Sequence, residues 1–170
     1  IGVPFSLEGF AFFIEAIFLG IYLYGWKRLT PVQHMISGIP VAISGTMSAV
    51  FVVMVNAWMN QPRGFTEVDG KIVEVDPVKA MLNPASPPEI THMILAAWIV
   101  AGALVACVYA RALLKGRRDR YHRMGLLIPF TFVAIVAPVQ IVVGDWAAQF
   151  LHENQPMKLA AAEGQYQTEK

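Results

Sequence analysis

The chain has 170 residues, of which 56% are hydrophobic and 15% are charged, with a formal net charge of +1 and a mean hydropathy of +0.51. Soluble domains are nearer to half apolar and a quarter charged, so this composition argues against an ordinary soluble domain. A soluble bundle of buried helices is the alternative, but the apolar stretches hardly alternate polar and apolar faces as soluble helices do. The one cysteine, Cys107, excludes a disulfide framework within these residues.

Four apolar stretches are each long enough to cross a bilayer as a helix, which takes about 20 residues. They are predicted at about residues 4–26, 35–59, 90–114 and 124–148. The sequence therefore predicts an all-α fold, a transmembrane helical bundle with four spanning helices.

The first stretch carries two carboxylates, Glu8 and Glu15, in an apolar run without further charge until Lys27. Seven residues are two helical turns, so both acids lie on one face, about 10 Å apart along the axis. Intramembrane acids usually face a bundle interior and mark an ion path, a proton relay or a cofactor. Glu15 lies near mid-span, whereas the alternative for Glu8 is a place in water at the outer interface.

The second stretch begins after Pro31, which suits a helix start, and contains small and polar residues: Ser37, Gly38, Ser44, Gly45, Thr46, Ser48 and Asn56. Ser48 and Asn56 are eight residues apart, roughly 80° around a helix, and could line part of a hydrated path. Ordinary polar packing between helices is the alternative.

The connection at about 60–89 is rich in proline, glycine and acids, and alternation around Asp69-Gly70 predicts a short hairpin. The third helix is predicted to start at Pro87-Pro88-Glu89. His92, near that start, is a residue type that can ligate haem iron. An interfacial or hydrogen-bonded core histidine is the alternative reading of His92.

The fourth stretch contains Pro129 and Pro138, each a predicted kink. After it, residues 149–170 form a polar segment in which Lys158 and Glu163 could bind a polar headgroup; a solvated pair is the alternative. His34 and His122 adjoin basic connections and are both predicted to be solvated. No basic, aromatic surface for nucleic acid is present in the sequence.

Basic residues flank the two short connections, which lie on one side of the membrane if all four stretches span it: Lys27, Arg28, Lys115, Arg117, Arg118, Arg120 and Arg123. By the positive-inside rule that side is cytoplasmic. The N-terminus, the loop at 60–89 and the tail at 149–170 are then predicted outside.

Several stretches, taken in chain order, are specific enough to compare with known families: LEGFAFFIEAIFLGIYLYGWKRL, PVQHM, SGTMSAVFVVMVNAWMNQP, EITHMILAAW, Gly-Asp at 144–145 and NQPMKLAAAEG. Together they resemble subunit I of the cytochrome bd-type quinol oxidases, including the cyanide-insensitive type. The resemblance covers the whole chain. It implies a central fragment, the third to sixth of about nine transmembrane helices, with residues 149–170 as the start of the quinol-binding loop.

The resemblance implies roles for the acids and the histidine. Glu8 matches a glutamate at the haem d site where oxygen is reduced, and is a candidate ligand of that iron. Glu15 matches the acid near the haem pair that helps deliver protons. His92 matches an axial ligand of the low-spin haem b.

It also implies roles for four polar residues. Ser48 and Asn56 match a proton path from the cytoplasm, and Lys158 and Glu163 match the head of the quinol-binding loop. The implied activity is quinol oxidation with reduction of oxygen to water, contributing to the proton motive force. The implied cofactors are low-spin and high-spin haem b and a haem d, or a haem b in its place.

The implied location is the bacterial cytoplasmic (inner) membrane, with the remainder of subunit I, subunit II and small accessory subunits as partners. The isolated chain is expected to be inactive, because the family's other haem ligands fall outside it. Two alternatives remain. A small proton or ion transporter with a carboxylate relay predicts ion flux and no haem absorbance, and an inactive structural fragment predicts neither.

Overall fold

A computed structural model describes residues 2–165. The elements, in chain order, are α1 (Gly2–Tyr24), α2 (Pro31–Asn60), β1 (Thr66–Val68), β2 (Lys71–Val73), α3 (Pro77–Met81), α4 (Ser86–Leu114), α5 (Arg120–Asn154) and α6 (Pro156–Ala162). Helices α1, α2, α4 and α5 are long and apolar enough to cross a membrane. The predicted all-α fold with four spanning helices is confirmed, and the helices begin and end within about six residues of their predicted bounds.

The buried apolar core of the described chain consists of small residues: Ala11, Val53, Val55, Ala57, Ala80, Ala85 and Ala106. Large apolar side chains lie outside it: Phe10, Phe12 and Phe13 are each more than 60% exposed. In water such a surface would cost several kcal/mol of lost burial. Large apolar side chains outside and small ones inside are typical of helices that face lipid or further membrane helices. Hydrocarbon surroundings remove the free-energy cost of exposing apolar side chains to water.

The residues up to Ile90 form one compact unit, in which α1 and α2 pack along each other. Helix α2 starts with a reciprocal cap. The Thr30 hydroxyl accepts a hydrogen bond from the Gln33 backbone N–H at 3.3 Å, and the Gln33 side chain accepts one from the Thr30 N–H at 3.1 Å. Pro31 occupies the first helical turn, as predicted, because its missing N–H costs nothing there.

The predicted hairpin is confirmed in the connection after α2. Strands β1 and β2 are antiparallel and joined by Asp69 and Gly70, whose φ angles are 52° and 73°. A two-residue turn with positive φ at both positions matches the right-handed twist of the strands.

Gly64, just before the hairpin, is enclosed by backbone. Its φ is +82°, and a Cβ there would lie 2.5 Å from the Asp76 carbonyl oxygen and 2.7 Å from the Ala80 nitrogen. The Asp76 N–H also donates to the Gly64 carbonyl at 2.7 Å. Gly64 therefore closes the loop onto the start of α3.

We expect Gly64→Ala to open this loop, since the added methyl group overlaps two backbone atoms that cannot move as a side chain does. Gly70→Ala is the matched control, because Gly70 also has a positive φ, +73°, but open space around it. The strain of a left-handed residue, about 1–2 kcal/mol, is thus common to both variants. Limited proteolysis of the full-length protein should cleave the Gly64→Ala loop several-fold faster than the Gly70→Ala loop. Equal rates would contradict the close packing.

The residues from Thr91 onward form a second compact unit, which contains most of α4 together with α5 and α6. The two long helices approach closely at Gly102, where a Cβ would lie 2.7 Å from Val133 Cγ2. Helix α5 continues through Pro129 and Pro138. It ends at Asn154 rather than near residue 148, so the first residues of the polar segment extend this helix, and α6 follows directly.

Two histidines predicted to be solvated are packed instead. His34 is half-buried, and its Nε2 lies 2.9 Å from the Tyr22 carbonyl oxygen, with its ring stacked on the Tyr22 ring. The His122 side chain is only 17% exposed, and its Nδ1 lies 2.5 Å from Asp119 Oδ2. The prediction failed because nearness to a basic connection does not reveal the partners of each ring, which are Tyr22 on the preceding helix for His34 and the N-cap Asp119 for His122.

Candidate functional site

The two intramembrane acids lie on α1, and both are half-buried. The Glu15 carboxyl group faces α2 at Gly45, where a Cβ would lie 3.4 Å from Glu15 Oε1 and 3.5 Å from Cδ. Gly45 therefore leaves room for this carboxyl group between the helices. Within residues 2–165, neither Glu8 nor Glu15 has a hydrogen bond or an ion pair. Unpaired acids at membrane depth are costly, which favours a functional role for them.

Ser48 lies on the same side of α2 as Gly45, because residues three apart on a helix are neighbours. It is half-buried and lies one helical turn from the position that faces Glu15. Asn56 is not part of this group. It lies about 12 Å further along the axis, near the end of α2, and is exposed; its Oδ1 accepts a hydrogen bond from Asn60 Nδ2 at 3.0 Å.

His92 lies in the second turn of α4 with an exposed imidazole. Gln140 of α5 holds it: Gln140 Nε2 lies 3.1 Å from His92 Nδ1 and donates to the His92 carbonyl oxygen at 3.1 Å. The ring faces Gly144, where a Cβ would lie 3.6 Å from His92 Cε1. A glycine at this place lets a flat group approach the imidazole without meeting a side chain.

Gln140 contacts a predicted site residue, and the sequence did not predict a role for it. Its Oε1 is buried and has no hydrogen-bond partner among the described residues. Rotation of the amide would exchange Nε2 and Oε1 and let Oε1 accept a hydrogen bond from Nδ1–H of His92, at the expense of the bond from Nε2 to the His92 carbonyl oxygen. Nε2 would then present its lone pair, the tautomer that a metal ligand needs. An amide in the middle of an apolar helix was the available signal.

The imidazole of His92 thus fits haem iron, since a haem takes only one or two axial protein ligands. Among residues 2–165 no group of three or more His, Cys, Asp or Glu side chains could enclose a bare metal ion. The haem reading requires no such group.

The predicted headgroup-binding residues lie at the end of the described chain. Lys158 is exposed on α6, and Glu163 is the exposed residue that ends this helix. Five residues correspond to about 140° around a helix axis, so the two side chains do not share a face. Both residues are exposed in the described chain, where α6 contacts α5.

A family model described as cytochrome bd terminal oxidase subunit I matches residues 1–170. A putative cytochrome bd menaquinol oxidase subunit I of Bacillus subtilis is 36% identical, over 98% of this chain and 38% of that protein. A cytochrome bd-II ubiquinol oxidase subunit 1 of Escherichia coli is 32% identical, over 99% of this chain and 33% of its own length. The chain spans about a third of these relatives.

Among solved structures, the bd oxidase of Geobacillus thermodenitrificans matches with a TM-score of 0.85 and 43% identity, covering 98% of this chain and 39% of that one. This likeness confirms the helical transmembrane fold, and the family match confirms the resemblance stated from the sequence. The chain has four candidate membrane spans and matches the family model along its whole sequence. It therefore belongs to the cytochrome bd terminal oxidase subunit I family.

Proposed function

We propose that this chain forms part of a quinol:oxygen oxidoreductase, a terminal respiratory oxidase that contributes to the proton motive force. The observation that carries the proposal is the exposed imidazole of His92, held by Gln140 beside Gly144. In this family context, low-spin and high-spin haem b, with haem d or another haem b at the oxygen site, would supply the electron-transfer and oxygen chemistry. The residues of this chain would bind and orient these groups, exclude water and move protons.

His92 binds the low-spin haem b in this proposal. The neutral imidazole offers Nε2, while Gln140 fixes the ring orientation and its tautomer. Glu8 belongs at the oxygen site as a candidate ligand of the haem there. Its half-buried carboxylate lies two turns from Glu15 on the same face of α1.

Glu15 carries protons to the oxygen site in this proposal. Its carboxyl group lies against Gly45 without an ion pair among the described residues, so no side-chain partner has to be displaced during the transfer. Ser48, on the same side of α2, supplies a hydroxyl next to this region. Asn56 then belongs beyond Glu15, toward the end of α2 remote from the basic connection, rather than at a cytoplasmic entrance.

Quinol is proposed to bind beyond the membrane helices, at the segment that holds Lys158 and Glu163. Residues 149–165 supply only part of such a site here. The proposed setting is the bacterial inner membrane, with the N-terminus and this segment on the outer side. Subunit II, small accessory subunits and the remaining helices of subunit I complete the enzyme, and the isolated chain is expected to be inactive.

The test is a reduced-minus-oxidised absorption spectrum of the protein, purified in mild detergent with its copurifying subunits. Bands of haem b, and of haem d where it is present, together with oxygen uptake on addition of quinol, are expected. A preparation containing all subunits that shows ion flux in liposomes but no haem absorbance would contradict the proposal in favour of a transporter.

Gln140→Leu tests the assignment of this residue as the partner of His92. We expect the low-spin band to remain, because the iron ligand is untouched. The midpoint potential should rise, since losing the hydrogen bond from Nδ1–H makes the imidazole less basic and stabilises ferric iron less. A redox titration of the full-length oxidase measures this shift.

The control is Gln149→Leu, the same change elsewhere on α5. Gln149 donates to Asp145 Oδ2 at 2.7 Å and does not contact His92 in the described chain. A shift of equal size in both variants would mean that Gln140 has no special link to the haem.

A further inference from the structure

A groove lies along α4 and α5 at the end where the two helices are connected. Two cavities of about 500 and 480 Å³ adjoin there, and Ala110 and Leu126 line both. The deeper cavity is lined only by apolar side chains and Cys107. None of these residues has a role in the function proposed above.

Small side chains on α4 form the floor of this groove. Ala103, Ala106 and Ala110 follow one another at three- and four-residue spacing, so they lie on one face of the helix. Phe130 and Val133 of α5 form the facing wall. The cavity is therefore a narrow apolar channel between two helices, and not a polar pocket.

Two guanidinium groups stand at the connection end, since Arg118 and Arg123 line the outer cavity. A left-handed glycine turns the chain back there. Gly116 has φ +89°, and the Arg117 N–H donates to the Ala112 carbonyl at 3.1 Å while the Gly116 N–H donates to Leu113 at 3.0 Å. This pattern ends α4 in a tight turn and returns Arg118 to the mouth of the groove.

The connection between α4 and α5 has no carboxylate that could pair with Arg118 or Arg123. Asp119 is its acid, and its carboxylate accepts the His122 backbone N–H at 3.1 Å and pairs with His122 Nδ1 at 2.5 Å. The backbone and side-chain hydrogen bonds from His122 lower the pKa of Asp119. In the described chain the ion pairs are His122–Asp119 and Lys79–Asp76, so neither arginine has a carboxylate partner.

The length of the groove matches one leaflet of a bilayer. From Leu114 to Ala103 the helix rises about 16 Å, which is about half of the 30 Å hydrocarbon thickness. A helix about 10 Å across would occupy roughly 1,250 Å³ over that length, more than the two cavities hold together. The groove therefore has the length of an acyl chain that spans one leaflet, and it is too small for a full helix.

We propose that this groove binds one anionic phospholipid. Its phosphate lies between Arg118 and Arg123, and one acyl chain runs past Ala110 along the alanine face of α4. Guanidinium groups bind phosphate oxygens with paired, charge-assisted hydrogen bonds. Basic pockets between membrane helices select anionic headgroups in this way. A zwitterionic headgroup also carries a positive group, and the connection has no free carboxylate to pair with it. A lipid with a net negative charge is therefore favoured.

The test uses the full-length oxidase with its partner subunits, delipidated and then mixed with phosphatidylglycerol or phosphatidylcholine and examined by native mass spectrometry. We expect one retained phosphatidylglycerol, bound about tenfold more tightly than phosphatidylcholine. Arg118→Gln with Arg123→Gln should reduce that retention about tenfold. The control, Arg117→Gln with Arg120→Gln, removes the same charge from the same connection outside the groove and should retain the lipid.

A second variant tests the apolar half of the site. Ala110→Phe leaves both arginines but fills the passage between the two cavities, so lipid retention should fall about tenfold. Several outcomes overturn the proposal: equal loss in the control variant, equal binding of phosphatidylcholine, and displacement of phosphatidylglycerol by millimolar inorganic phosphate. Failure of the wild-type enzyme to retain any lipid would also overturn it, and would indicate that a protein segment covers the groove.

Discussion

His92→Ala in the full-length oxidase should abolish the absorption bands of the low-spin haem b. The alanine removes the nitrogen that would bind iron and leaves Gln140 without its partner on α4. A haem that loses an axial ligand leaves the low-spin state or the protein, so the loss should be nearly complete and not graded. The reduced-minus-oxidised spectrum measures it, and quinol-driven oxygen uptake should fall with it.

The other histidines explain why His92 is singled out. The chain has four histidines. His34 is held by the Tyr22 carbonyl group and His122 by Asp119. His92 also has a partner, Gln140, but its imidazole is exposed and faces Gly144, which leaves room for a flat group beside the ring.

His152→Ala is the matched control, because His152 is exposed near the end of α5 and has the same side chain. It should leave the spectrum unchanged. Added imidazole should restore part of the low-spin band in His92→Ala if that variant is folded. An unchanged spectrum in His92→Ala would exclude this residue as the ligand.

Glu15→Gln should slow oxygen reduction by a factor of about 100 while the haem bands remain. The amide keeps the size of the side chain beside Gly45 but can no longer take up and release a proton. Positioned acids and bases typically contribute 10²–10⁴ to a rate, which sets this expectation. Oxygen uptake with excess quinol, compared with haem content, is the measurement.

Glu67→Gln provides the comparison, since Glu67 lies on the exposed strand β1 and undergoes the same chemical change. Its rate should equal that of the wild type. A Glu15→Gln enzyme with the full oxidase rate would remove Glu15 from the proton path. Loss of haem in this variant would instead indicate a role for Glu15 in holding the cofactor.

The sequence alone was sufficient for features that depend on neighbouring residues. Mean hydropathy over about 20 residues located α1, α2, α4 and α5, because membrane insertion depends on the summed apolar content of each segment. The Asp69-Gly70 turn was predictable, since positive φ at two successive positions is a local preference. The stretches that resemble the bd oxidase family were also recognisable from the sequence, because they are runs of consecutive residues.

Only the tertiary structure decided which side chains meet. Helical period gives the face on which Glu15 or His92 lies, but not the partner, which depends on how far one helix slides and turns against the next. The contact of Glu15 with Gly45 and that of His92 with Gln140 join residues 30 and 48 positions apart. The packing of His34 on Tyr22 of α1 escaped the sequence for the same reason, whereas His122 pairs locally with Asp119, three residues before it.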